Sequence, residues 1–232
     1  MEPRTVARSE TQVAESNFIS SVFLWMSLGL LLSAFASFWL LSQPALLRTI
    51  YTNGLVLFGI LAVQLIMVFW LTAAALRLPD SVVTSLFCGY SLLNGITLTS
   101  VVLVYTGISV LTTFAIAAGT FFFFSVFGLT TKRDLTSIGS LAFMGLIGVL
   151  IAGFVNIFLK SPAVKWLTTF IGIAVFMALI AYDTQKLKAI HAMGFENAEV
   201  KKKSAIVGAL MLYLDFINLF LLLLNIFGKR RE

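Results

Sequence analysis

Residues 81–131 run for fifty-one positions without a charged side chain. A helix crosses the ~30 Å hydrocarbon core of a bilayer with about 20 apolar residues. This run is therefore too long for one crossing and has to be broken. Tyr105-Thr106-Gly107 is the plausible hinge within it, which predicts two spans, 81–105 and 108–129. Residues 49–76 are charge-free as well and predict a second span. It ends at Arg77-Leu78-Pro79-Asp80, where the proline biases Leu78 away from helical geometry.

The remaining runs fall into place around these. Residues 16–47 are too long for a signal-peptide core and lack a small-residue cleavage site, so a retained first span is expected over 18–41. The fifth, sixth and seventh spans are expected over 138–159, 164–187 and 204–228. The prediction is an all-α integral membrane protein of seven transmembrane helices, with the lipid bilayer as its first partner. One domain, 16–228, lies between a flexible tail at 1–15 and a basic tail at 229–232.

Composition excludes the other classes. With 59% hydrophobic and 11% charged residues, and a mean hydropathy of +1.01, the chain is unlike soluble domains, which carry about 25% charge. Its net charge of +6 comes from residues between and beyond the apolar runs. That is the pattern of membrane loops, not of a nucleic-acid-binding face. One cysteine and one histidine leave no internal disulfide and argue against a His/Cys metal site. Cys88, inside an apolar run, reads as a packing residue.

Counting Lys and Arg by side places ten with the amino-terminal tail and alternate loops, and six opposite. This favours a cytoplasmic amino terminus and an exoplasmic carboxyl terminus. Within the spans, Ser91, Asn94 and Thr97 form a polar stripe suited to helix–helix hydrogen bonds, and Gln64 reads as similar glue. Gly145, Gly148 and Gly153 suggest close helix approach on the fifth span. Asp134 or Thr136 is a candidate cap for that helix.

The seventh stretch, 204–228, carries a single charge, Asp215, near its middle. A carboxylate there costs about 2.5–3.5 kcal/mol on insertion scales, so it has to face a partner or water. Asn218 and Asn225 lie close to the same helical face. Asp183 sits near the cytoplasmic end of the sixth span, on the side where Arg77 ends the second. If the sixth helix continues through Lys188, Asp183 comes close to the depth of Asp215, and two carboxylates and one guanidinium can meet. Each has a plainer reading. Asp183 can be interfacial, Arg77 can snorkel to lipid phosphates, and Asp215 can hold a structural bond to a neighbouring helix. Tyr182 and Tyr213 read as packing or belt residues.

Four stretches carry a resemblance: residues 94–98 (NGITL), 128–135 (GLTTKRDL), 181–185 (AYDTQ) and 212–220 (LYLDFINLF). With them the chain resembles the transmembrane Bax inhibitor motif family, in particular its bacterial inner-membrane branch. The resemblance implies six helices in two layers around a central seventh. It also implies an aspartate pair serving as a pH sensor, mapped onto Asp183 and Asp215, with an arginine lock mapped onto Arg77.

The leading expectation is a pH-sensitive calcium leak channel or transporter. Its two acids would titrate as one coupled unit and bind Ca²⁺ weakly and transiently. Asn218, Asn225, Asn94 and Thr97 are candidate pore-lining or supporting residues, and no resident cofactor is expected. Two alternatives stand beside it. One is a non-transporting modulator of a membrane-anchored ATP-dependent protease, which bacterial relatives of this family bind. The other is an intramembrane aspartyl protease, against which the absence of a Gly-x-Gly-Asp motif counts.

Overall fold

A charge-free run in a chain this apolar has one local answer, a helix whose backbone groups satisfy one another. The computed structural model describes the backbone of residues 3–231 and the side chains of residues 15–231. Among the described residues eight α-helices follow in order: α1 (Pro3–Leu41), α2 (Pro44–Thr52), α3 (Gly54–Ala73), α4 (Asp80–Val104), α5 (Gly107–Thr130), α6 (Thr136–Leu159), α7 (Pro162–Ala192) and α8 (Ala198–Phe227). A 3₁₀ turn, Ala75–Arg77, separates α3 from α4. Every α-helix except α2 is long and apolar enough to cross a membrane, which makes seven spans. The protein is an all-α integral membrane protein.

The hinge at 105–107 is where α4 gives way to α5, as the sequence suggests. The second run behaves differently. It is cut at Asn53, whose side-chain Oδ1 accepts the Leu55 N–H at 3.1 Å and starts α3 at Gly54. Asn-Gly is a turn signal that the unbroken hydropathy of 49–76 conceals. The residues before it form α2, a short helix with nothing buried, tied down by the Tyr51 hydroxyl donating to the Ile96 carbonyl at 2.7 Å.

Two further ends differ from expectation. Helix α1 starts at Pro3, so the segment expected as a tail is continuous with the first span. Proline suits a helix's first position, and no proline follows it before Pro44, nor any glycine before Gly29. The connector expected over 189–203 shrinks to 193–197. Gly194, at φ +80°, stops α7 in the left-handed conformation that glycine adopts without strain. Asn197 then caps α8 by accepting the Val200 N–H at 2.9 Å.

Contacts gather the chain into two compact units. The first comprises Met1–Leu103 and His191–Leu210, the second Val104–Ile190 and Met211–Glu232. In the first unit, Gly95 lies so close to α1 that an added Cβ would stand 2.2 Å from the Ser33 carbonyl oxygen. There the Ser33 hydroxyl donates to the Ser91 carbonyl at 2.7 Å. The expected polar stripe of α4 therefore meets α1 through its backbone. Its own hydroxyls bond back along α4, Ser91 to the Phe87 carbonyl and Thr97 to the Asn94 carbonyl. Gln64 is buried with its amide nitrogen unbonded, so it does not act as the expected polar glue.

In the second unit, Phe114 and Phe121 meet Phe216 edge to face, with ring centroids 5.3 and 5.7 Å apart. Of the three α6 glycines expected to allow close approach, only Gly145 does so, against Val175. Gly148 and Gly153 face open space. The basic carboxyl-terminal residues pair with the α4–α5 hinge. The Thr106 N–H donates to the Lys229 carbonyl at 3.0 Å, and the Arg231 N–H to the Val104 carbonyl at 2.9 Å.

Burial separates α8 from the rest. Two-thirds of its apolar window (67%) is buried, against 33% at most for any other span.

Candidate functional site

The site lies wholly in the second unit, on α6, α7 and α8. Helix α7 runs to Ala192 and so continues past Lys188, the condition under which Asp183 reaches the depth of Asp215. Their carboxyl groups come within hydrogen-bonding reach of each other. Asp215 is 6% exposed and Asp183 half-buried. Two bare carboxylates at such a position repel each other strongly. One oxygen of Asp215, Oδ2, is buried and has no hydrogen-bond partner.

The local fold explains why Asp183 is held firmly. Gln185, two residues on, clamps the loop between α5 and α6. Its Oε1 accepts the Leu135 N–H at 2.9 Å, and its Nε2 donates to the Arg133 carbonyl at 2.8 Å. Gly128 lets α5 approach until an added Cβ would stand 2.2 Å from the Ala181 carbonyl oxygen, and Gly139 lets α6 approach the Tyr182 ring. The stretches 128–135 and 181–185 are thus two sides of one joint beside the acid pair. The cap expected from Asp134 or Thr136 takes another form. Leu135 precedes the first turn of α6 without a side-chain cap, while Asp134 accepts the Thr136 N–H and hydroxyl at 2.9 and 2.6 Å.

A cavity of about 790 Å³ opens on the pair. Phe143, Leu146, Leu150, Phe176 and Leu222 form its apolar wall, and Asp183, Asp215, Tyr182, Asn218 and Lys186 supply its polar groups. Lys186, one turn beyond Asp183, is a charge within this unit that acts on it. The sequence signal for Lys186 was its i+3 spacing from Asp183, which resembles that of any interfacial lysine. Tyr182, read as a packing residue, both packs on Gly139 and lines the cavity.

The other candidates are placed as follows. Asn218 lines the same cavity, its amide donating to the Leu214 carbonyl at 2.8 Å. Asn225 lies farther along α8, in a small cleft with Lys165, Trp166 and Thr169, and donates to the Leu221 carbonyl at 3.1 Å. Asn94 and Thr97 belong to the first unit, where the Thr97 hydroxyl also reaches the Asn94 side-chain oxygen at 3.2 Å. Arg77, also of the first unit, is exposed at the end of the 3₁₀ turn. Among the described residues no three His, Cys, Asp or Glu side chains gather as a metal cluster.

Fold and site together define a polytopic membrane protein with an ionisable carboxyl pair inside its spans. Residues 15–232 match the family described as "Inhibitor of apoptosis-promoting Bax1", and the chain belongs to that family. It is 44% identical over 230 residues to the inner membrane protein YbhL of Escherichia coli strain K12, covering 99% of this chain and 98% of that one. It is 40% identical over 218 residues to an uncharacterized protein of Rickettsia prowazekii, covering 93% and 90%. An uncharacterized protein of Borreliella burgdorferi is 39% identical over 218 residues, covering 94% of each chain.

Proposed function

We propose that this protein is a pH-sensitive calcium leak channel or transporter of a bacterial inner membrane, gated by Asp183 and Asp215. The observation that carries the reading is the meeting of two carboxyl groups in a cavity among membrane spans. The pair holds a proton at low pH and yields that place to a cation when the proton leaves. Ca²⁺ takes oxygen ligands, and two carboxylates with Asn218 nearby form a weak site, suited to passage and not to storage. Arg77 acts as the lock, tying the deprotonated acids by charge-assisted bonds that protonation releases. One pKa unit of such coupling is about 1.4 kcal/mol, a tenfold shift between closed and open populations. The amino terminus is cytoplasmic.

The test is calcium flux in liposomes between about pH 5 and 8. Asp215→Asn keeps the side chain's shape and removes the charge, so the protein should insert and lose its flux. Arg77→Ala should flatten the pH profile. Native flux in well-folded Asp215→Asn would overturn the channel reading and leave the modulator class. An unchanged profile in Arg77→Ala would leave Arg77 as a snorkelling residue.

A further inference from the structure

The cavity beside the acid pair is far larger than an ion. At about 790 Å³ it matches the volumes of small-molecule sites, roughly 300–1,000 Å³. Its walls are apolar, with Phe143, Leu146, Leu150 and Phe176 facing a carboxyl pair at one end. Asp215, more than nine-tenths buried, holds its Oδ2 without a partner. A calcium ion would satisfy the carboxyl pair but leave the apolar walls unused, and it seeks six to eight oxygen ligands. An acyl chain would cover the walls and leave the oxygen orphaned, which is costly away from water.

We infer that this cavity is a binding site for hydrophobic amines: an ammonium group bridging Asp183 and Asp215, with a compact hydrocarbon body against α6 and α8. The ammonium has three N–H donors, enough for both carboxyl groups that line the cavity. It takes the place between the carboxyls that a proton or metal cation would otherwise hold. The titratable groups facing it are Asp183 and Tyr182 and Lys186 of α7, and Asp215 of α8; the α6 residues on the cavity, Thr136, Gly139 and Ser140 among them, carry no charge. Lys186 is exposed and stands one turn beyond Asp183. It opposes a second cation on the Asp183 side and leaves Asp215 as the stronger anchor. The inference names a ligand class for the site on which the proposed function rests, and it does not require that the site conduct calcium.

The probe is 1-aminoadamantane, an ammonium on a rigid hydrocarbon cage, with 1-adamantanol as its neutral counterpart. Binding is read by equilibrium dialysis against the full-length protein in nanodiscs, with empty nanodiscs subtracting partition into lipid. The amine should bind saturably, one per chain, and roughly tenfold or more tighter than the alcohol, as one charge-assisted bond provides. Asp215→Asn should abolish that preference. Leu146→Trp, which keeps both acids and narrows the apolar wall, should weaken binding of both probes. Equal binding of amine and alcohol would show an apolar cavity only and overturn the inference, as would amine binding left unchanged by Leu146→Trp. Calcium flux measured without the probe separates the two readings. Flux that depends on the aspartates without saturable amine binding defeats this inference alone. Amine binding without flux defeats the channel alone.

Discussion

Asp134 shows how a near neighbour sets a charge. The Thr136 hydroxyl, and after it the Thr136 N–H, donate to its carboxylate and hold its pKa below the ordinary value. A folded pKa depressed in this way contributes stability above the unfolded-state pKa. That contribution is lost as pH falls through the folded value. Thr136→Val removes the hydroxyl and keeps the backbone bond. The Asp134 pKa should then rise towards the ordinary carboxylate value, read by carboxyl carbon NMR titration. An unmoved titration would assign the shift to the backbone bond alone. At this scale Asp215 stood out as a candidate, because a carboxylate inside an apolar run has no inexpensive local home, and Asp183, at the end of its span, was joined to it by the resemblance. Gln185 and Lys186 did not stand out, since polar residues at the end of a span look alike until their partners are known.

Helix contacts turn on which glycines are needed. A Cβ at Gly128 would meet the backbone of Ala181 at 2.2 Å, an atom that cannot swing aside, whereas Gly148 has nothing within 4 Å. Gly128→Ala should therefore push α5 from α7 and cost about 1–3 kcal/mol, the usual penalty of overpacking. Gly148→Ala should be neutral or should stabilise by up to about 1 kcal/mol through helix propensity. Thermal unfolding in detergent of the two variants, side by side, checks this. Equal melting temperatures would mean that the α5–α7 approach yields easily. Small-residue spacing along α6 pointed to Gly145, Gly148 and Gly153 alike. Spacing along one helix says nothing about which face has a neighbour.

Within each unit, bonds between helix ends agree with spans of alternating direction. The carboxyl-terminal residues pair with the hinge between the third and fourth spans. Gln185 at the end of the sixth span bonds the loop between the fourth and fifth. Lys202 at the start of α8 pairs with Asp80 at the start of α4 at 2.9 Å. Each pairing joins ends that seven alternating spans put on one face of the membrane. Reporter fusions after Glu15 and after Glu232 should accordingly report opposite sides, with the first cytoplasmic from the ten-to-six basic count. Both reporters on one side would overturn an odd number of crossings.

Run length and stray charge are properties of the chain in one dimension, and they sufficed for seven spans, the break at 105–107 and the choice of Asp183 and Asp215 as candidates. The cut at Asn53 was also local, hidden because hydropathy averages over an Asn-Gly step. Tertiary structure alone decided that the two carboxyl groups meet, that an apolar cavity opens beside them with Lys186 at hand, and that Gly128 and not Gly148 is indispensable. These depend on the rotation and offset of one helix against another. A 3.6-residue period orders the side chains around a single helix axis and leaves both quantities free.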